Sequence, residues 1–556
     1  MNPVKIITVE KSREMEKAAD EGGLSFARMM ENAGRATARA VEQLLSPRDR
    51  RVVVLVGPGN NGGDGLVAAH YLAGAGARVT CYLWKREVAG DDNLERVQAG
   101  GLPVVWAEDD DDHEALRGLL QGADVVVDAL LGVGVSLPLR DNLRSLLETV
   151  AASLRERRGA TELAHAVPGS GLRAAPLVVA VDCPTGLDSD TGEVDPATLQ
   201  ADVTVTFAHP KVGLLRFPGA GKVGRIVVAD IGIPADLAAD VDLEMVTAQA
   251  VAAWLPERSP SSHKGTFGRV LVVAGSVNYV GAAALAGSGA KRVGAGLVTM
   301  ALPGPIQAAV AANLAEATYL LLPHDMGVVN TGAVQVVRER MGDYDALLLG
   351  PGLSQEDETV AFVQTFLGLH RKERRGRLGF VERSEPEGEE GPAPPPLVVD
   401  ADGLNALAGV PDWWHSLPPG TILTPHPGEM ARLVGGDATT AEIQADREGI
   451  ARRMAREWSA VVVLKGALTV VAAPDGRAMV QPFANPGLAT AGTGDVLAGA
   501  IAGLRAQGLE AFEAAVAGAY VHGLAGELAR DELGEMGMVA GDLPPRLPLA
   551  LRRIRA

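Results

Sequence analysis

The sequence predicts two doubly wound α/β domains in tandem. Short apolar, β-branched runs alternate with helical patterns twice over, which is the βαβ rhythm of a parallel sheet. Composition agrees: 47% hydrophobic and only 4% aromatic residues describe cores of Val, Leu, Ala and Ile, and 67 glycines fit many strand-to-helix turns. At 556 residues the chain also exceeds one ordinary domain.

In the first half, strands are expected in RVVVLVG from Arg51, RVTCYLW from Arg78, DVVVDALLG from Asp124, PLVVAVD from Pro176, DVTVTF from Asp202 and RIVVAD from Arg225. In the second they are RVLVVAG from Arg269, LVTMAL from Leu297, ALLLG from Ala346, PLVVDAD from Pro396, TILTPH from Thr421 and AVVVLKG from Ala460. The break is expected near Val241 to His263, where the chain leaves a last strand, forms a short helix and enters a Pro- and Ser-rich link. The domains are then 1–240 and 264–556, with 241–263 as linker and entry helix. Residues 371–396, charged and Pro-rich, and the milder 153–175 interrupt the rhythm and read as loosely packed surface insertions without chemistry.

A net charge of −18 disfavours nucleic acid and anionic membranes, so a phosphate ligand must be held by local amides, a few cations or a metal ion. No apolar run approaches the length of a membrane span, and the first residues lack an apolar leader core. Cys81 and Cys183 are too few for a disulfide scaffold or zinc cluster and sit in apolar runs as reduced core residues. A soluble cytoplasmic protein acting on small molecules, with no nucleic-acid or membrane partner and a homo-oligomeric assembly, is expected. The acid run EDDDDHE from Glu108 reads as a solvated face, because adjacent carboxylates repel and rarely converge on a metal.

The segment NPGLATAGTGDVLAG, Asn485 to Gly499, places an aspartate where a glycine-rich turn becomes a helix. Gly492, Thr493 and Gly494 can bring bare amides to an anion, and the helix starting near Asp495 aims its positive end at the same point. Asp495 could then be general base for a hydroxyl held against a phosphate. Val496, Leu497, Ala500, Ile501 and Leu504 keep helical spacing, and Gly508 offers a stop. A plain helix start with an N-terminal acid remains the alternative.

In the first half, GPGNNGGDG, Gly57 to Gly65, follows a strand and opens a helix with the spacing of a Rossmann-like dinucleotide loop. The next strand ends in Trp84, Lys85 and Arg86 rather than a ribose-binding acid, and Asn60, Asn61 and Asp64 fill the loop with polar groups, which argues against a plain dehydrogenase. Asp128 ends another strand, followed by the turn GVGVSLP, and Asp182 and Thr185 lie in VDCPTGLDSDTG. Ligands of open α/β sheets bind at such strand ends. Asn61, Asp128 and Thr185 are hard oxygen donors suited to an alkali or alkaline-earth cation, and Asp182 is left to hold or deprotonate a substrate. The competing reading makes each acid a helix cap.

These motifs, in this order, resemble the epimerase domain of the bifunctional NAD(P)H-hydrate repair enzymes, and imply a Rossmann-like three-layer α/β/α fold. The resemblance assigns Asn60, Asn61, Gly62, Gly63 and Asp64, the turn Gly132, Val133, Gly134, Val135, Ser136, Leu137 and Pro138, and Asp182 to the hydrated dinucleotide. It assigns Asn61, Asp128 and Thr185 to potassium. Thr185 replaces the usual Ser and keeps its hydroxyl; Val133 replaces Thr and leaves only backbone contacts.

In the second half HKGTFGRVLVVAGS, GAAALAGSGAKRVGAGLVTM, LLLGPGL, DADGLNALAG, TPHPGE and LKGALTVV resemble, in order, the dehydratase domain of the same family, which has a ribokinase-like α/β fold. The resemblance assigns Lys465, Gly466, Ala467, Leu468, Thr469 and Gly494 to ADP or ATP, and Ala283, Gly352, His426 and Asp495 to the hydrated substrate. Asp400 and Asp402 are left to orient the site or a metal, or to cap helices.

The implied activity is repair of hydrated NADH and NADPH: interconversion of the R and S hydrates, then dehydration of the S form with ADP or ATP and Mg²⁺. Asp495 would be the base that lets the hydroxyl attack phosphorus, so that a poor leaving group departs as phosphate. A small-molecule kinase fused to a dinucleotide-binding domain, or a non-catalytic first domain, would be the alternatives.

Overall fold

The computed structural model describes residues 4–163, 176–369 and 394–556. The chain forms two compact units, Asn2–Val241 and Asp242–Ala556.

In the N-terminal unit the sheet runs in the order Val104–Trp106, Arg78–Leu83, Arg51–Val56, Val125–Ala129, Leu177–Val181, Val203–Phe207, Arg225–Ala229. All neighbours are parallel. Alternate residues of one strand feed opposite cores, because a pleated strand has a side-chain period of two. Val52, Val54 and Val56 pack with Met29, Val41 and Leu66, whereas Val53 and Leu55 pack with Leu143, Leu146 and Leu147. The sheet is therefore the middle of three layers. The strand order reverses between Arg51–Val56 and Val125–Ala129, and both glycine turns leave from the carboxyl ends of these strands. At this crossing a Cβ on Gly57 would stand 1.7 Å from the Leu130 carbonyl oxygen, so only glycine lets the turns meet.

Each expected strand of this half is present, with Val104–Trp106 as an additional edge strand. The insertion expected over 153–175 is corrected at its start: the helix Asp141–Leu163 continues through it, with Ser153 and Leu154 buried. Residues 164–175 and 370–393 lie outside the described residues, and with them most of the insertion expected over 371–396. The acid run is not wholly solvated either. Buried Asp110 accepts from the Ala115 and Leu116 amides at 2.9 and 3.0 Å and from the Tyr82 hydroxyl at 3.1 Å, closing the start of helix Glu114–Gly122.

In the C-terminal unit the sheet runs Leu243–Met245, Ala478–Val480, Val470–Ala472, Val461–Leu464, Ile422–Leu423, Leu397–Val399, Ala346–Leu349, Arg269–Val273, Leu297–Pro303, Thr318–Leu322. It is parallel from Val461–Leu464 to Thr318–Leu322, and antiparallel where Val470–Ala472 pairs with both its neighbours. The reversal lies between Arg269–Val273 and Ala346–Leu349. Beyond it the Gly275 amide donates to the Pro351 carbonyl at 2.8 Å, and the Ser276 hydroxyl to the Gly352 carbonyl at 2.9 Å.

Two helices meet above this reversal, Val280–Arg292 and Thr493–Ala506. The second is apolar almost all round, as a helix buried in the core must be. A Cβ on Gly499 would stand 1.9 Å from the Ala286 carbonyl oxygen, so the two backbones touch directly. Their first turns are thereby fixed against each other.

Candidate active sites

In the C-terminal unit, Gly492 (φ +92°) turns the chain into the helix Thr493–Ala506, with Asp495 in its first turn. The amides of such a first turn have no carbonyl four residues back to bond. Burial, then the charge of Asp400, pushes the Asp495 carboxyl up to about 7, against the pull of Lys465. A carboxyl poised there can accept a proton near neutral pH. Beneath the turn, buried His522 donates Nε2–H to the Thr493 carbonyl at 3.0 Å, and burial pushes its imidazole down to about 4. The ring is therefore a neutral brace.

The Lys465 ammonium, at the end of strand Val461–Leu464, lies 2.6 Å from Asp400 Oδ1 and 3.6 Å from Glu429 Oε2. Burial opposes its charge, but Asp400 and Glu429 more than offset this and raise its pKa. Thr424 Oγ1 donates to the same Asp400 oxygen at 2.7 Å. A Cβ on Gly494 would stand 3.5 Å from Lys465 Nζ, which puts the ammonium beside the phosphate turn. His426 caps its helix: Nδ1 accepts from the Gly428 and Glu429 amides at 3.0 and 3.3 Å, and Nε2 lies 3.5 Å from Glu429 Oε1 on a half-exposed ring. Burial lowers its pKa. Asp402 accepts from the Ser354 amide at 2.9 Å.

Within KGALT, Gly466 and Ala467 are exposed, whereas the Leu468 side chain is buried and Thr469 Oγ1 donates to the Gly466 carbonyl at 2.8 Å. Arg447 Nη2 donates to the Leu464 and Lys465 carbonyls at 2.9 and 3.2 Å, bracing the turn from below. Ala283, expected to touch the substrate, is instead fully buried, backbone included, in the core of this unit. Gly352 (φ +63°) lies against Tyr279 and Ala282, where a Cβ would clash at 2.8 and 2.7 Å.

In the N-terminal unit, Asp182 sits at the end of strand Leu177–Val181. Its Oδ1 accepts from the Lys211 ammonium at 2.6 Å and from Thr206 Oγ1 at 3.1 Å, and Lys211 is 2% exposed, so the pair is a buried one. Burial, then the charges of Asp182 and Glu16, raises the Asp64 pKa well above the carboxylate range. Asp182 holds the Lys211 ammonium whereas burial disfavours the Asp64 anion, a difference of environment that separates a base from an acid. Nearby, Asp128 Oδ1 accepts from Thr185 Oγ1 at 2.6 Å and Oδ2 from the Thr185 amide at 2.9 Å. Asn61 is buried with neither Oδ1 nor Nδ2 hydrogen-bonded, and a Cβ on Gly132 would lie 3.3 Å from that Oδ1. Unpaired buried amide atoms of this kind imply an absent partner.

Asn60 is exposed at the helix start, Asn61 to Asp64 are buried behind it, and Gly132 to Pro138 form a partly exposed turn. Arg86 closes the loop, its Nη1 donating to the Gly57 and Gly59 carbonyls at 2.9 and 2.7 Å. Sequence reasoning missed Lys211, Glu429, His522 and Arg447. The first two stand next to quoted motifs, at HPK after a strand and in TPHPGE; the other two carry no local signal.

Fold and sites together define a two-site α/β enzyme, one site built around an anion-facing helix start and the other around buried carboxyls at a strand-order reversal. Residues 26–213 match the family model described as YjeF-related protein N-terminus, and residues 270–376 and 385–548 match NAD(P)H-hydrate dehydratase. The chain is 40% identical over 535 residues to the bifunctional NAD(P)H-hydrate repair enzyme Nnr of Moorella thermoacetica, covering 95% of this chain and 92% of the relative. Against that of Thermofilum pendens it is 39% identical, with 97% and 94% covered. A solved ADP/ATP-dependent NAD(P)H-hydrate dehydratase from Bacillus subtilis, co-crystallised with ATP and Mg²⁺, is 33% identical, covering 56% of this chain and 98% of its own, with a TM-score of 0.44. The chain belongs to the bifunctional NAD(P)H-hydrate repair enzyme family.

Proposed function

We propose that the N-terminal unit interconverts the R and S hydrates of NADH and NADPH, and that the C-terminal unit returns the S form to the reduced coenzyme using ADP or ATP. The observation that carries this is Asp495: a carboxyl held at about 7 in the first turn of a helix, with Lys465 beside the same turn.

Asp495 takes the proton of the substrate hydroxyl as its oxygen attacks the terminal phosphorus of the nucleotide. The bond from that phosphorus to the leaving nucleotide breaks, releasing AMP from ADP or ADP from ATP. Lys465 and the amides of Thr493 to Asp495 stabilise the negative charge as it moves. The ring nitrogen then expels the phosphate, and the neighbouring ring carbon loses a proton to restore the double bond. His426 Nε2–H and Gly352 are the groups that orient the ring, and Gly466, Ala467 and Thr469 those that meet the nucleotide.

No group of three or more His, Cys, Asp or Glu side chains is arranged to hold a metal among the described residues, so a Mg²⁺ ion would take most ligands from phosphate oxygens and water. Bound there, it would neutralise phosphate charge.

In the first unit, Asp182, fixed by Lys211, takes the proton of the substrate hydroxyl as the bond from that carbon to the ring nitrogen opens to an aldehyde and Asp64 gives the nitrogen a proton; closure on the other face of the carbonyl reverses both proton transfers. Asn61, Asp128 and Thr185 fit a potassium ion, because the orphaned Asn61 oxygen needs a partner that the protein does not provide. Such an ion would supply a fixed charge for the dinucleotide phosphates. The two buried, unpaired cysteines support a reducing, cytoplasmic location.

The test is to supply mixed epimers of hydrated NADH with ADP or ATP, Mg²⁺ and K⁺, and to follow reduced-nicotinamide absorbance. Full recovery is expected; no recovery with either nucleotide overturns the dehydratase, and recovery of a single epimer overturns the epimerase.

A further inference from the structure

A cavity of about 330 Å³ opens in the C-terminal unit, away from the strand ends just described. It lies between the segment after helix Ala248–Trp254, the far ends of helices Val280–Arg292 and Thr493–Ala506, and the last helix, Leu547–Arg555. Four guanidinium groups line it, those of Arg258, Arg292, Arg552 and Arg555, in a chain whose net charge is −18. None of the four makes an ion pair among the described residues.

Two of them have structural duties, but only toward neutral acceptors. Arg258 Nη2 donates to the Gly294 carbonyl at 2.6 Å and to Gln507 Oε1 at 3.0 Å, with its guanidinium 3.8 Å over the Phe267 ring. Arg555 Nη2 donates to the Pro256 carbonyl at 2.5 Å. These bonds leave both positive charges uncompensated. Burial, then the positive charge of Arg555, lowers the Arg258 pKa, which marks the two groups as close neighbours. The four helix ends that reach the cavity carry about half a negative charge each, which balances about two arginines and not four. All four residues are exposed, so water screens their charges, and because arginine does not lose its proton an anion seated among the four gains attraction from each.

Below the guanidinium groups the floor is apolar, made by Leu255, Val293, Leu504 and Leu551. A ligand matched to both surfaces has a compact dianion at one end and a small carbon body at the other. Guanidinium forks bind phosphate through paired N–H donors, and a cavity of this size suits a small ligand. We propose that this cavity is a binding site for a phosphate monoester with a small apolar body. It is distinct from the nucleotide site: the helices of 13 and 14 residues that end here begin at the turns carrying Ala283 and Asp495, about 20 Å away.

The test is calorimetric titration of the full chain with phenyl phosphate, beside inorganic phosphate, comparing wild type with the Arg292→Gln/Arg552→Gln double variant. Among the described residues these two arginines make no hydrogen bond or ion pair, and an unchanged denaturation midpoint checks that the fold does not depend on them. Wild type is expected to bind phenyl phosphate more tightly than inorganic phosphate, and the double variant to lose one binding component, with affinity down at least tenfold. Dehydratase turnover without phenyl phosphate should stay the same. Absence of phenyl phosphate binding, equal binding by the two proteins, or equal affinity for phenyl and inorganic phosphate would each overturn the proposal.

Discussion

Lys465 and Asp400, 65 residues apart in sequence, meet at 2.6 Å and join the ends of two parallel strands into one charged floor. Asp400 is 1% exposed, and its Oδ1 accepts from Thr424 as well as from Lys465. The ammonium is thus held in place beside Gly494 before any nucleotide arrives. A preorganised cation of this kind costs no rearrangement when charge moves onto phosphate.

Removing the cation should therefore affect both stability and turnover. Lys465→Met leaves a buried Asp400 without its partner and is expected to destabilise the unit by about 3–5 kcal/mol. The double variant Lys465→Met/Asp400→Leu should recover part of that loss in a urea titration, while dehydratase activity stays absent in both. Equal destabilisation of the two would show that the ion pair is not the cause.

Asp495 gives a pH dependence with a defined sign. Its carboxyl in the folded protein is raised to about 7, and the base is active only when deprotonated, so dehydratase kcat/KM should fall as pH drops through about 7. Stability runs the other way. A raised carboxyl favours the folded state fully below the unfolded value and loses that benefit as pH rises through about 7. Asp495→Asn should then melt higher than wild type at pH 8 and similarly at pH 4, by scanning calorimetry, while losing activity by a factor on the order of 10² or more.

In the first unit, Lys211 and Asp182 should behave as one device. Lys211→Met and Asp182→Asn are each expected to abolish R/S interconversion while leaving dehydration of isolated S hydrate at wild-type rate. Chiral chromatography of the hydrate pool reads the first effect and nicotinamide absorbance the second. Retained interconversion in Lys211→Met would make the lysine a packing residue.

The orphaned Asn61 amide predicts a cation effect. K⁺ should raise the melting temperature of the wild type relative to choline chloride of equal ionic strength, and Asn61→Leu or Asp128→Asn should remove that difference. An equal rise in the variants would remove these residues from the ion.

Strands were legible wherever a β-branched run was buried on both faces, as in Arg51–Val56 and Leu177–Val181. The edge and antiparallel strands Val104–Trp106, Thr318–Leu322, Val470–Ala472 and Ala478–Val480 were not, because they are short or only partly buried and carry weaker patterns. A turn that starts a helix at Thr493 was visible because glycine, threonine and aspartate announce it locally. Lys211 was not, since its meeting with Asp182 depends on neighbouring parallel strands, which no periodicity reports. His522 was hidden for the same reason: it lies inside a buried helix, and only packing brings it to Thr493.

The most direct test of two independent sites in one chain uses Asp495→Asn with resolved R hydrate, ADP or ATP, Mg²⁺ and K⁺. The S hydrate should appear and accumulate at the wild-type epimerisation rate, with no recovery of reduced coenzyme. Recovery of the reduced coenzyme, or loss of interconversion together with dehydration, would contradict the assignment of Asp495 as the dehydratase base.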